Sequence, residues 1–254
     1  MKTAIYETAG RAREYSELAL NLFNHCDHSC IYCYAPNVLR KDRGDFNQSA
    51  ESRLLPLDIE ISANKFKGEN RRVLLCFTCD PYQDSEKGSK ITRTAIEILH
   101  EAGLGVIILT KGGIRSMRDF DLLKPGVDAY ATTLTLNDPV KSNQWEPGAA
   151  LPVERIYALE QAHKKGIETW VSFEPVIYPQ ETFKLLELTH TFVDHYKVGT
   201  MNYHPQGKAT DWKAFGFAMK RVMDAMGVKY YFKNDLLREM GILPAEFKQK
   251  VVCR

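Results

Sequence analysis

Three observations on the sequence predict an α/β fold built on a parallel sheet. Short apolar runs alternate with longer stretches in which apolar residues recur at helical spacing, the pattern of successive βα units. A glycine followed by an aliphatic residue, set between a helix and the next strand, recurs at Gly103-Leu104, Gly166-Ile167 and Gly227-Val228, at intervals of 63 and 61 residues. Each interval holds two βα units of about 30 residues. The third observation is the count: the 254 residues carry six or seven such units, too few to close an eight-unit barrel. The expected architecture is a partial, open (β/α)6-type TIM barrel with parallel strands. It occupies residues 18–254 as one domain, behind an N-terminal arm of residues 1–17.

The arm is polar, with Arg11, Arg13 and Glu14. Residues 18–23 form the first strand. Residues 36–48 hold Arg40, Lys41, Asp42, Arg43 and Gly44 and read as a polar excursion before a helix over 53–66. The apolar run at 72–77, bounded by polar residues, reads as a buried strand. Ala95, Ile98, Leu99 and Ala102 make one apolar stripe, and Gly103 stands where a C-terminal cap belongs. A third strand covers 105–110, and a helix over 114–123 is stopped by Lys124-Pro125-Gly126. A fourth strand covers 128–134, followed by a Pro- and Gly-containing loop over 137–150. Pro152 starts a helix that Gly166 ends. The fifth strand is 168–173, with a helix from Pro179 to about residue 189. The sixth strand is 195–198. A long loop and a helix with Phe215, Ala218, Met219 and Val222 on one face lead to the last strand, 229–233, and a short helix over 236–240.

Composition narrows the function classes. No run of about 18 apolar residues is present, so no membrane span is expected. The N-terminus is too polar for a secretory leader, so the expected compartment is cytoplasmic. The balance of 34 basic against 32 acidic residues is not the strong basic footprint of a nucleic-acid binder, although it leaves room for a local patch. Six cysteines could make three disulfides, but their clustering without an export signal favours metal or redox chemistry.

Cys26, Cys30 and Cys33 fall within eight residues in a C-x3-C-x2-C spacing, on the loop that leaves the first strand. Thiolates are the soft ligands of iron–sulfur clusters and zinc. Structural zinc and electron-transfer clusters normally take four protein ligands, so three leave one position open for a substrate or cofactor. The alternative is a non-catalytic, zinc-stabilised nucleic-acid-binding module with His25, His28 or a cysteine from 76–79 as the fourth ligand. An electron-transfer protein is disfavoured by the missing fourth cysteine.

This spacing resembles the cluster motif of the radical S-adenosylmethionine (radical SAM) enzymes. The words His-Ser-Cys-Ile-Tyr-Cys-Tyr-Ala at 28–35, Thr-Cys-Asp-Pro-Tyr-Gln-Asp-Ser-Glu at 78–86 and Gly-Ile-Glu-Thr-Trp-Val-Ser-Phe-Glu-Pro-Val-Ile at 166–177 resemble its spore photoproduct lyase-like branch. The resemblance covers roughly residues 18–240. It implies a partial barrel and a [4Fe-4S] cluster on the three cysteines, with S-adenosylmethionine (SAM) on the fourth iron. It also implies an external electron donor such as flavodoxin or ferredoxin, and a nucleic-acid or nucleotide substrate for lyase-type repair, rearrangement or base modification.

The same resemblance assigns roles to residues at the strands' C-terminal ends, where parallel α/β folds build their sites. Tyr32, before the third cysteine, is expected to contact SAM. Asp80 suits the ammonium of SAM and Lys111 its carboxylate. Thr132 and Thr133 in the fourth strand could offer a hydroxyl to the ribose, the one of them that does not face the helices, and Ser172 at the end of the fifth is a further cofactor-binding candidate. A glutamate at a barrel mouth needs a partner, so Glu174 is expected to meet a ligand. Lys197 lies in the sixth strand and is a further cofactor-binding candidate, and Gly199, just after it, allows a close approach to adenine. Tyr82, Asn202, Tyr203, Lys233 and Asn234 are expected to face substrate; Asp235 closes the rim with the last two, for which a salt-bridged rim is the alternative. The lyase's hydrogen-donating cysteine aligns with Phe77 here, which departs from the pattern and puts dimer repair in doubt. Strand alternation sets 77 and 79 on one face and 76 on the other, which makes Cys79 the better donor candidate. Cys253 at the tail is given no chemical role.

Overall fold

The computed structural model describes residues 3–48 and 51–251, so Cys253 lies outside the described residues. Among these, eight strands form one sheet in sequential order. They are β1 (Ile5–Glu7), β2 (Leu18–Leu20), β3 (Arg72–Leu75), β4 (Gly105–Thr110), β5 (Ala129–Thr133), β6 (Glu168–Phe173), β7 (His195–Val198) and β8 (Lys229–Phe232). From β2 to β8 every neighbour is parallel, joined through segments on the outside. β8 does not pair with β1, and the barrel stays open as expected. No helix among the described residues is long and apolar enough to cross a membrane.

Strand alternation divides the core in two. Val73, Leu75, Val106, Ile108, Tyr130, Val171, Tyr196, Val198 and Phe232 face the helices in the larger core. Ala19, Leu74, Ile107, Ala129, Ala131 and Trp170 face the barrel interior, joined by Tyr6, Tyr15, Phe77 and Leu109. Three of the inward positions are alanines, and that leaves room for the Tyr15 and Trp170 rings, whose centroids lie 5.9 Å apart.

Three expectations are corrected. The arm carries β1, which pairs antiparallel with β2 (Ile5 opposite Leu20), and a 3-10 helix, Gly10–Glu14. It is held inside the barrel because the buried Lys197 ammonium donates to the carbonyls of Glu14 (2.9 Å) and Tyr15 (3.0 Å). The segment expected as a helix over 114–123 is a 3-10 helix, Gly113–Asp119, in which Ser116 Oγ donates back to the Gly113 carbonyl. β3 ends at Leu75, so strand alternation does not govern residues 76–79, and Cys76, Phe77 and Cys79 all reach the same cavity.

Candidate functional site

A cavity of about 500 Å³ opens at the C-terminal ends of the strands. Cys26, Cys30 and Cys33 line one wall, with Tyr32 and Tyr34. Neighbouring segments fix the loop that carries them. The Asp27 carboxylate accepts from the backbone N–H groups of Asp84 (3.1 Å) and Ser85 (2.7 Å). Asp27 N donates to Gln83 Oε1 (2.9 Å). Ile31 N donates to the Trp145 carbonyl (2.9 Å) and Gly148 N to the His28 carbonyl (3.0 Å).

Behind the cysteines lies a buried ion pair, Arg155–Glu146, at 2.6 Å with both side chains almost fully enclosed. Tyr32 donates its hydroxyl to the other oxygen of Glu146, so its ring is anchored against the cavity wall. Burial pushes the Glu146 pKa up, but Arg155, Lys111 and the Tyr32 hydroxyl outweigh it and hold the carboxyl below its usual range. Arg155 also donates to the carbonyls of Ala150 (2.7 Å) and Thr133 (3.1 Å).

Asp80, on the turn after β3, has its oxygens filled by its own scaffold. Oδ1 accepts from Thr110 Oγ1 (2.6 Å) and Tyr82 N (2.8 Å), and Oδ2 accepts from Lys111 N (2.7 Å). His28 Nδ1 faces Oδ2 at 3.5 Å, while Arg115 donates to His28 Nε2 at 3.0 Å. Burial brings the His28 pKa down to about 4 and keeps the ring neutral. Burial raises the Asp80 pKa, yet His28, Lys111 and these hydrogen bonds leave it below the usual value. Lys111 stands beside Cys30 and Glu146. Burial opposes its charge, and Cys30, Glu146 and Asp80 outweigh that burial and keep the ammonium protonated.

The opposite wall is Thr133, Ser172, Glu174, Asn202, Tyr203 and Lys233, together with Arg11, Ala12 and Tyr15 from the arm. Glu174 is its hub: it receives Arg11 (3.0 Å), Lys233 (2.5 Å) and the Tyr15 hydroxyl. Tyr15 also hydrogen-bonds Ser172 Oγ at 3.1 Å. Arg11 bridges to Asp235 (2.5 Å), which accepts from Thr200 Oγ1 and Asn202 Nδ2 at 2.8 Å each.

Of the residues singled out in the sequence, Cys26, Cys30, Cys33, Tyr32, Cys79, Asp80, Lys111, Ser172, Glu174, Asn202, Tyr203 and Lys233 line this cavity. Five do not. Thr132 faces the helix layer and donates to the Thr110 carbonyl (2.7 Å); its neighbour Thr133 lines the cavity. Lys197 is spent on the arm carbonyls and lies over the Trp170 ring at 4.7 Å. Gly199 packs on Glu174, whose Cδ would lie 2.9 Å from a Cβ there. Tyr82 is buried under Arg118, outside the cavity. Asn234 turns its N–H to Glu14 Oε1 (2.7 Å).

Sequence reasoning missed Arg11 and Tyr15 as lining residues, and Glu146 and Arg155 as support behind the cysteines; Asp235, expected at the rim, is there in a salt bridge to Arg11. Arg11, Tyr15 and Glu146 act across more than 100 positions of the chain, which no local signal marks, and Arg155 looks in the sequence like any other polar residue of its helix. Asn21 was also missed: its Oδ1 accepts from Phe77 N (2.8 Å) and Thr78 N (3.0 Å), fixing the turn that holds Cys76 and Cys79.

Among the described residues, no three His, Cys, Asp or Glu side chains converge to hold a single metal ion. The three thiols instead share a wall, and a cluster takes each cysteine on a separate iron. Burial raises the Cys26 and Cys33 thiols and pushes Cys30 up to about 12, so these are poor free nucleophiles. A coordinated thiol is deprotonated by its metal. This donor set, with Lys111 beside it, fits an iron–sulfur cluster.

A family model described as the radical SAM superfamily matches residues 20–193. Uncharacterized protein ORF301 of Acidianus two-tailed virus is 27% identical over 193 residues, 71% of this chain and 63% of that protein. The chain thus spans less than two thirds of this curated relative. Streptococcus suis SuiB bound to S-adenosylmethionine shares the fold with a TM-score of 0.61 at 12% identity, over 84% of this chain and 46% of SuiB. A spore photoproduct lyase variant with bound AdoMet and dinucleoside spore photoproduct matches at 0.60 and 19% identity, over 76% of this chain and 59% of the lyase. SuiB bound to precursor peptide SuiA matches at 0.65 and 12% identity, over 90% of this chain and 51% of SuiB.

Proposed function

The chain belongs to the radical SAM superfamily, and from that premise we propose that Cys26, Cys30 and Cys33 hold a [4Fe-4S] cluster, with S-adenosylmethionine bound in the adjoining cavity. The observation that carries this reading is one cavity lined by three thiols, a buried-side lysine and a strand-end carboxylate. When bound, the cluster supplies the electron that cleaves the sulfonium of SAM and yields a 5′-deoxyadenosyl radical for hydrogen abstraction.

The residues of this chain position and enclose. Lys111 pairs with the SAM carboxylate, and the ionised Asp80 gives its edge the negative potential that suits the ammonium. Tyr32, anchored on Glu146, covers the cysteine wall and keeps water from it. Ser172 and Glu174 face the ribose hydroxyls. Cys79 donates its thiol hydrogen atom to the substrate radical, and the thiyl radical left on its sulfur returns to the thiol with an electron from the external donor and a proton from water. Asn202, Tyr203 and Lys233 meet the substrate at the mouth, together with Arg11.

The substrate in this reading is a nucleic-acid base or nucleotide, and the outcome is modification, rearrangement or lyase-type repair. Two things support it: the fold shared with a lyase that holds a dinucleoside, and a rim of aromatic rings and cations suited to stacking on bases. An external flavodoxin or ferredoxin delivers the electron, in the cytoplasm.

The test is anaerobic reconstitution with iron and sulfide, followed by dithionite and SAM. The native protein forms 5′-deoxyadenosine, and Cys30→Ala forms none. Cys79→Ala keeps SAM cleavage and loses the final product. Deuterium transfer from labelled nucleosides or oligonucleotides into 5′-deoxyadenosine identifies the substrate, and no transfer from any of them overturns the nucleic-acid reading.

A further inference from the structure

The excursion over residues 36–48 is absorbed by no function above, yet it touches the backbone of all three cysteines. Its short helix, Arg43–Phe46, is capped by Asp42, whose carboxylate accepts from Gly44 N (2.7 Å) and Asp45 N (3.4 Å). At one end the Phe46 carbonyl accepts from Cys26 N (3.0 Å). At the other, the Arg43 guanidinium forks: Nη1 donates to the Cys30 carbonyl (3.1 Å) and Nη2 to the Cys33 carbonyl (2.8 Å). The Cys30 carbonyl also takes the Cys33 N–H (3.1 Å), so the second and third cysteines form one turn with the guanidinium across it. Among the described residues, Arg43 pairs with no carboxylate. Its guanidinium is thus committed to the cysteine carbonyls, with no ion pair drawing it away from the loop.

We propose that Arg43 is a positioning residue for the cluster, one that clamps Cys30 and Cys33 through their carbonyls and raises the cluster's reduction potential by its fixed positive charge. This rests on the cluster reading above. A planar five-donor fork suits two carbonyls at once, whereas a lysine ammonium is a point charge on a flexible stem. A nearby cation favours the state with the extra electron, and net charge and hydrogen bonding around the sulfurs are what set cluster potentials.

The two contributions separate by substitution. Arg43→Gln removes charge and fork, Arg43→Lys removes the fork alone, and Asp42→Ala loosens the short helix without touching Arg43. In apo protein, hydrogen exchange over residues 26–33 should speed up at least several-fold in all three variants, with the thermal midpoint close to native. In reconstituted protein, all three should release iron to a chelator faster than native. An EPR-monitored redox titration should place Arg43→Gln at a more negative midpoint than native, with Arg43→Lys near native. Native exchange, iron release and midpoint in Arg43→Gln overturn the proposal. If the native chain itself builds no cluster, the functional reading fails, while exchange in the apo variants still decides the clamp.

Discussion

Arg155 and Glu146 show what single side chains contribute at this site. Each is nearly fully enclosed, and their pairing at 2.6 Å is what allows either to be charged there. Arg155→Met should leave a buried carboxylate without its ion-pair partner and lower unfolding free energy by about 3–5 kcal/mol, measured in urea. Glu146→Ala, which removes the acceptor of the Tyr32 hydroxyl, should free that ring, seen as altered tyrosine fluorescence in the folded apo protein. Asp80 gives a pH-dependent case. Its folded pKa lies below the ordinary aspartate value of about 3.9, so its ionised form favours the folded state. That stability is present above about pH 3.9 and is lost as pH falls through the lower folded pKa. The difference in unfolding free energy between native protein and Asp80→Asn should therefore hold steady from about pH 7 to 5 and shrink below about pH 4.

Among the elements, the segment after β5, expected as a loop but carrying the short helix Pro139–Trp145, decides whether the cysteine loop can sit where it does. Gly148 presses on the backbone of Asp27 and His28: a Cβ there would collide with the Asp27 carbonyl oxygen and lie 2.8 Å from the His28 Cα. Neither contact is the end of a flexible side chain, so the backbone itself must shift. Gly148→Ala should push the cysteine loop off the Trp145–Gly148 segment. The expected result is a folded protein by circular dichroism that retains well under half the native iron after reconstitution. Full iron content would show that the loop tolerates the displacement. The 3-10 helix that replaces the expected regular helix at Gly113–Asp119 lies in the same neighbourhood, where Arg115 reaches His28 and the Gly148 carbonyl.

On the scale of the whole molecule, the open barrel is stabilised by its own N-terminus. The arm runs inside the sheet, and Tyr15 sits among Phe77, Trp170, Lys197 and Lys233, with the two ammonium groups 5.2 and 4.2 Å from its ring centre. Tyr15→Ala should cost about 3 kcal/mol of stability, since it removes a large aromatic side chain that two lysines and two rings pack upon. It should also enlarge the cavity. Urea denaturation checks the first effect, and faster quenching of Trp170 fluorescence by acrylamide checks the second. A loss under about 1 kcal/mol would mean that the arm only rests on the barrel.

The sequence by itself determined the parallel α/β class, the open barrel and the strand ends as the place where a cavity with three thiols forms, because those features are local. A periodicity of two or of 3.6, a glycine at a helix end and a cysteine spacing are all written in contiguous residues. Tertiary structure alone decided which side chains reach the cavity. Thr132 and Thr133 differ by one position and face opposite sides of the sheet, and Lys197 points inward only to be taken by the arm. Arg11, Tyr15 and Glu146 gained their places through contacts 114 to 163 residues away. Such partners are chosen by closure of the chain in space, for which no local pattern exists.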